Sequence, residues 1–333
     1  ARDKNMEINS RTSESANSRT KLGKIGVLMG GPSAERDISL KSGKAVCEAL
    51  GQLGQDVRPI DILTDNRQEN IRLLKSYKID CVFLALHGRF GEDGTIQGIL
   101  ESLEIPYTGS GILASRLAMD KIASRQIFER GGLSVPKYKV FERAAHPLKI
   151  QMPEGFGLPL VVKPVQQGSS IGLSIVRAKD CWDAAVEAAF EFDERIVVEE
   201  YIAGRELTVG ILDEQALPVI EIIPKKTFFD FEAKYTTGLT EYVVPAKLDE
   251  SVALKTQLRA LLAHKLLGCF GCSRVDIILD SNNQQRILEV NTIPGMTSTS
   301  LLPKAAGIVG IGFGELCLRL IELALKKYKG KTR

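Results

Sequence analysis

The sequence predicts an α/β protein whose later lobes are α+β, and three observations carry that expectation. Strand and helix patterns alternate from Lys24 onward. Beyond Tyr138, strands outnumber helices. Near the C-terminal end, two strands of alternating polar and apolar residues flank a link, Ser281-Asn282-Asn283-Gln284. Turn-rich links of that kind close hairpins.

The elements follow in order. Residues 24–29 form a short apolar run, the pattern of a buried strand. Residues 39–53 read as a helix, with Ala45, Val46, Ala49, Leu50 and Leu53 on one face. Strand 57–63, helix 71–77, strand 81–86 and helix 95–103 continue a βαβα order, which implies a parallel sheet covered by helices. Ligands of such sheets sit at the carboxyl ends of the strands. Two polar loops leave there: Gly30-Gly31-Pro32-Ser33-Ala34-Glu35 and His87-Gly88-Arg89-Phe90-Gly91-Glu92-Asp93-Gly94.

A long helix over 112–130 opens a second region, with strands 138–141, 160–164, 174–176 and 196–200 and helix 182–190. The third region contains strands 207–212 and 219–223, a polar-aromatic loop over 225–240 and helix 252–267. The hairpin strands 273–280 and 285–291 and a closing helix over 313–327 complete it. The predicted domains are 23–118, 119–203 and 204–330. Residues 1–22 are rich in Ser, Thr, Asn, Arg and Lys and lack the apolar stretch of a secretory signal. They read as a disordered tail or linker.

A chain of 333 residues is long enough for two or three domains. Apolar residues at 44% and charged residues at 26% are the proportions of a globular protein. The net charge of +3 is spread along the chain and gives no case for nucleic acid or an anionic membrane. No apolar run approaches the roughly 20 residues of a membrane span. Six cysteines, mostly in apolar segments, read as free thiols of a reducing cytoplasm. Cys269 and Cys272 form a lone CxxC without the second pair or nearby histidines that a zinc site needs.

Alternation places Val275, Ile277 and Leu279 on one face of the hairpin, with Leu288 and Val290 on the same side of the partner strand. Arg274, Asp276, Glu289 and Asn291 then share the opposite face. Carboxylate and amide oxygens suit Mg²⁺, which binds substrate phosphates as well. Arg274 adds planar donors for an oxyanion. On alternation alone an ordinary half-exposed hairpin explains the pattern better. The loop that follows, from Asn291 to Leu301, shifts the balance, because its glycine, proline and hydroxyls can present donors to an anion.

Upstream, a strand ends at Lys163-Pro164 and leads into Gln167-Gly168-Ser169-Ser170-Ile171-Gly172. Glycine-rich loops let backbone N–H groups approach phosphates. The Glu199-Glu200-Tyr201-Ile202 segment offers backbone hydrogen bonds and an aromatic edge for a purine. Taken singly, each is equally a plain turn or a buried strand end.

Together these motifs resemble an ATP-grasp enzyme. The amino-side loops narrow the resemblance, along with Met119-Asp120-Lys121, Glu232-Ala233-Lys234-Tyr235 and Asn291-Thr292-Ile293-Pro294-Gly295-Met296-Thr297. From about Lys24 to Leu325, in order, the chain is similar to the D-alanine–D-alanine ligase family. The resemblance implies a three-domain ATP-grasp architecture with an N-terminal parallel α/β domain. It implies ATP and two Mg²⁺ ions, for which Mn²⁺ can substitute, and a D-alanyl phosphate intermediate. A cytoplasmic homodimer that serves peptidoglycan precursor synthesis is also implied.

Residue roles carried over by the resemblance are as follows. Lys121, Lys163 and Lys234 contact ATP phosphates, with Ser169 and Ser170 in the facing loop. Glu199, Glu200, Tyr201 and Ile202 line the adenine site, and Glu206 holds the ribose. Phe228, Phe229 and Phe231 pack the lid, Phe229 also counting among the ATP contacts. Asp276, Glu289 and Asn291 are the metal ligands. Arg274 and the backbone N–H of Gly295 form the oxyanion site. Glu35 holds the first substrate's ammonium beside His87, and Ser300 and Leu301 cradle the second substrate's carboxylate. Tyr235, Ser169 and Glu35 form a trio that closes the lid. His146 and His264 match nothing in the family and read as structural or surface residues.

Three alternatives stand beside this reading. One is a D-alanine–D-lactate or other amino-acid ligase on the same fold; resistance-type D-lactate versions carry a histidine where this chain has Tyr235. Another is an inactive nucleotide-binding relative, against which the intact lysines, Arg274 and the hairpin acids argue. The third, a nicotinamide oxidoreductase, lacks its glycine spacing at Gly30-Gly31-Pro32.

Overall fold

The computed structural model describes residues 22–143, 150–224 and 240–331. The first sheet is built from β1 (Lys24–Gly30), α1 (Arg36–Gln52), β2 (Asp56–Ile62), α2 (Arg67–Tyr77), β3 (Cys81–Leu84) and α3 (Thr95–Ser102). Its strands are parallel in the order β2-β1-β3. Central β1 is apolar along nearly its whole length because both of its faces are covered. Val46 and Leu50 of α1 pack on one face, and Leu74 of α2 with Ile96, Ile99 and Leu100 of α3 on the other.

The predicted helix over 112–130 is two helices, α4 (Ile112–Met119) and α5 (Lys121–Arg130). Asp120 breaks it with extended backbone, φ −82° and ψ 103°. Its carboxylate accepts from the N–H groups of Ile122 and Ala123, so it caps α5. Arg195 pins the same carboxylate at 2.8 Å.

The second sheet comprises β4 (Tyr138–Glu142), β5 (Leu160–Pro164), β6 (Ser174–Val176) and, after α6 (Trp182–Phe190), β7 (Arg195–Glu200). It is antiparallel, in the order β4-β7-β5-β6, with α6 packed on one face. The third contains β8 (Gly204–Leu212), β9 (Gln215–Ala216), β10 (Ile220–Pro224) and β11 (Thr240–Val243). After α7 (Glu250–Leu266) come β12 (Cys272–Asp280) and β13 (Gln285–Asn291). The order is β11-β10-β8-β12-β13, with β9 paired to β8. Helix α8 (Leu301–Ile308) and α9 (Phe313–Lys331) end the fold. Strands β9 and β11 and helix α8 are not among the predicted elements.

Helix α8 lies close against β8 at Gly210, where a Cβ would come within 2.7 Å of Leu302 Cδ1. Helix α9 returns to the first sheet. Its Leu316, Cys317, Leu320 and Ile321 share one core with Ile25, Val27 and Phe83. Among the cysteines, Cys81, Cys272 and Cys317 are buried and Cys181 is exposed, and all six are free thiols.

Candidate active site

Two cavities meet at Lys121, Gln167 and Glu289. The smaller, about 130 Å³, lies between the second and third sheets. Val161, Leu173, Ile202, Ile278 and Leu288 give it apolar walls, beside Tyr201. Lys163, Ser170, Glu199, Glu200 and Glu206 add polar groups. Apolar walls with a few placed polar groups suit a flat heterocycle. The Glu200 carboxylate is turned toward backbone and accepts from Lys137 N at 2.9 Å.

One wall comes from an irregularity that the sequence pattern missed. The β12–β13 pairing shifts after Asp276, which faces Glu289, while Ile277 faces Ile287. Leu288 is therefore an extra residue in a β-bulge, and it leaves the core for the cavity. Ile287 takes the buried place that strict alternation gives Leu288. As a result Leu288 and Glu289, though adjacent, both line the small cavity.

Behind this cavity sits a buried ion cluster. Arg125 Nη1 is 2.6 Å and Lys163 Nζ 2.9 Å from Glu199 Oε1. Burial works to raise the Glu199 pKa, but the Arg125 and Lys163 charges outweigh it and hold the carboxylate below its usual range. Burial also lowers the Lys163 pKa, and it lowers that of Lys121 to about 8 against the pull of Glu289. Lys121 Nζ donates to the Gln167 carbonyl and stands 4.0 Å from Glu289 Oε2.

The larger cleft, about 620 Å³, runs from the first sheet to α8. Glu35 and His87 come from the two loops that leave the ends of β1 and β3. Glu35 occupies the N-cap position of α1, yet its side chain makes no capping bond. It accepts instead from the hydroxyl of Ser169 across the cleft. Ser169 and Ser170 are both left-handed, at φ 51° and 60°. That strained pair turns Ser169 to the large cleft and Ser170 to the small cavity. The His87 ring is held at both nitrogens, Nε2 3.0 Å from Ser42 Oγ and Nδ1 3.1 Å from the Ile293 carbonyl. At Gly88, φ 75°, a Cβ would stand 2.8 Å from Glu35 Oε2.

On the hairpin, Arg274 donates twice to Asp276, at 2.9 and 2.7 Å, and Thr208 donates to the same carboxylate at 2.7 Å. Glu289 and Asn291 face the cleft beside Arg274. Asn291 Oδ1 accepts from Ile293 N at 2.9 Å, shaping the turn toward Gly295. Ser300 Oγ is 2.8 Å from Thr297 Oγ1, and with Gly295 and Leu301 it lines the far end.

Phe228, Phe229, Phe231, Lys234 and Tyr235 lie outside the described residues, as do His146 and residues 1–21. Sequence reasoning passed over Ser42, Glu92, Arg125, Tyr242 and Lys304. Ser42, Glu92, Tyr242 and Lys304 line the cleft, and Arg125 stands behind the small cavity. The spacing of Arg125, one turn after Lys121 on the same helix, is a signal that could have found it.

The hairpin's donor set fits a hard cation. Two carboxylates and an amide oxygen face one side, and among the described residues no group of three His, Cys, Asp or Glu is placed to hold a metal by itself. Such a set leaves most of a coordination shell to phosphate oxygens and water, as Mg²⁺ requires.

Comparison with known proteins resolves the family. The family model for the D-ala D-ala ligase C-terminus matches residues 127–322, and that for the N-terminus matches residues 64–110. The chain belongs to the D-alanine–D-alanine ligase family. A D-alanine–D-alanine ligase of Trichlorobacter lovleyi is 50% identical over 85% of this chain and 88% of its own length. The crystal structure of the Bacillus anthracis D-alanine–D-alanine ligase complexed with ATP is 35% identical, with a TM-score of 0.80 over 93% of this chain and 99% of that one. VanG D-Ala:D-Ser ligase from Enterococcus faecalis shares the fold too, at 33% identity and a TM-score of 0.75, over 90% of this chain and 99% of its own. The architecture is thus that of a D-alanine–D-alanine ligase, an ATP-grasp fold in which the second and third sheets enclose the small cavity. No described helix is long and apolar enough to cross a membrane.

Proposed function

We propose that this ligase joins two D-alanine molecules into D-alanyl-D-alanine, converting ATP to ADP and phosphate. The observation that carries the reading is the junction of the two cavities at Lys121 and Glu289. A heterocycle in the small cavity would direct its phosphates toward Lys121 and Lys163. The large cleft presents Glu35 to one amino acid's ammonium and the Ser300–Leu301 turn to another's carboxylate.

In the first step a donor carboxylate oxygen takes the terminal phosphoryl group and the bond to ADP breaks. The second substrate's amine then attacks the carbonyl carbon, the bond to phosphate breaks, and the amine loses a proton. Phosphoryl transfer of this kind depends on positioning and charge neutralisation. Lys121 and Lys163 supply fixed cations, while Arg274 and the Gly295 N–H face the developing oxyanion. Asp276, Glu289 and Asn291 would hold Mg²⁺, which when bound neutralises phosphate charge. Glu199, Glu200, Tyr201, Ile202 and Glu206 would hold adenosine. Lys234, Phe229 and Tyr235 are read as the lid that excludes water from the acyl phosphate. The domains are read as 23–118, 119–203 and 204–330, a reading that the presence of one sheet in each supports. A cytoplasmic homodimer that supplies cell-wall precursor synthesis completes the proposal.

Phosphate release with Mg²⁺ and ATP, with products identified by mass, tests it. D-alanyl-D-alanine formed from D-alanine, absent with L-alanine and lost in Glu289→Gln, is the expected result. Preferential use of D-lactate or D-serine as the second substrate would reassign the acceptor. ATP binding without any turnover would leave a nucleotide-binding protein.

A further inference from the structure

The acceptor end of the large cleft contains a cation that none of the roles above uses. Lys304 lies one helical turn after Ser300, the N-cap of α8, so both residues share a face. Its backbone N–H closes the helix's first turn onto the Ser300 carbonyl at 3.0 Å. Helical side chains lean toward the helix N-terminus. The Lys304 side chain follows that lean into the cleft, and its ammonium stands 4.4 Å from the centre of the Tyr242 ring.

Charge at this end is not paired among the described residues: Glu206 acts on Tyr242, but no carboxylate acts on Lys304 itself. Among the described residues no carboxylate pairs with Lys304. Helix α8 has no acid in its first turn. Its leading N–H groups, those of Leu301 and Leu302, have no intrahelical acceptor, and the helix dipole adds positive potential there. Of the other cations that line the cleft, Arg274 already makes a two-point pair with Asp276, and Lys121 stands beside Glu289. Partial burial alone lowers the Lys304 pKa, as for an ammonium with no anion beside it. Two positive features that converge without an anion repel each other, and a bound carboxylate would relieve that repulsion.

We infer that Lys304, resting on the Tyr242 ring, binds the carboxylate of the acceptor amino acid together with the N-terminal turn of α8. This rests on the ligase reading above and makes Lys304 a determinant of which acceptors are accepted. Acceptors with a free carboxylate are favoured, and those with a neutral amide in its place are rejected. Tyr242 contributes by placing the ammonium over its ring face, which leaves the donor hydrogens free for the ligand.

The test compares wild type, Lys304→Met and Lys304→Arg in the full chain, with D-alanine and D-alaninamide competing as acceptors at saturating ATP. Wild-type formation of D-alanyl-D-alanine is checked first; its absence would sink the ligase reading itself. With wild type active, Lys304→Met is expected to raise the half-saturating acceptor concentration about tenfold and to shift the product ratio toward the amide by a similar factor. The half-saturating ATP concentration should stay within about twofold, since Lys304 lines only the large cleft. Lys304→Arg should restore most of the preference. An unchanged acceptor requirement in Lys304→Met would overturn the inference. So would a parallel loss for acceptor and ATP, or no recovery in Lys304→Arg.

Discussion

The two cavities solve opposite electrostatic problems. Around the small one, cations are held by an anion of the protein's own: Glu199 is bracketed by Arg125 and Lys163, all buried. At the far end of the large one, Lys304 and the α8 N-terminus have no anion beside them among the described residues. The difference follows from what each cavity must take. A heterocycle brings no charge, so the protein must hold its own ions beside it. An amino acid's carboxylate brings the missing charge, so the site gains by leaving room for it.

The largest expected effect breaks this contrast at the paired side. Glu199→Gln leaves Arg125 and Lys163 side by side with no anion between them, and breaking a buried ion cluster in this way costs about 3–5 kcal/mol. Urea unfolding of the unliganded protein measures it. A loss below about 1 kcal/mol would show that the anion does not hold the cluster together. Next, Arg274→Met removes a donor from the large cleft alone. Turnover should fall by about 10²–10³ while the half-saturating ATP concentration holds. Steady-state kinetics decide this, and a comparable rise in the ATP requirement would mean that the cavities are not separable.

The smallest effect concerns the platform under both. His264 of α7 is buried, its Nδ1 2.7 Å from Ser273 Oγ on β12. Burial lowers its pKa from the ordinary 6.5 to about 4. Below pH 6.5 the unfolded chain binds a proton that the folded chain refuses. The stability present above that pH is therefore lost progressively as pH falls toward 4, by roughly 3 kcal/mol at most. Melting curves over that window should show a shallower decline in His264→Asn than in wild type.

Much of this was legible in the sequence because hydrophobic period and loop chemistry agree. The βαβα order gave the parallel sheet, and alternation brought Arg274, Asp276, Glu289 and Asn291 to one side. What escaped was local geometry that period alone does not encode. Asp120 interrupts a helix whose apolar stripe continues across the break. The Leu288 bulge changes faces within an apolar strand, where either face looks plausible. Helix α8 spans only eight residues and contains Pro303 and Gly307, so its two turns resembled loop, and Lys304 went unread with them.

The return of α9 to the first sheet has a consequence for synthesis. Ribosomes release chain in order, and β1 through β3 emerge long before Phe313. Until Leu316 and Ile321 arrive, Val46 and Leu50 of α1 give the face of Ile25, Val27 and Phe83 only part of its cover. At about 5–20 residues per second, that wait over more than two hundred residues lasts roughly ten to fifty seconds. Throughout it the nascent first sheet is a sticky surface, and its completion is the last event of translation, not the first.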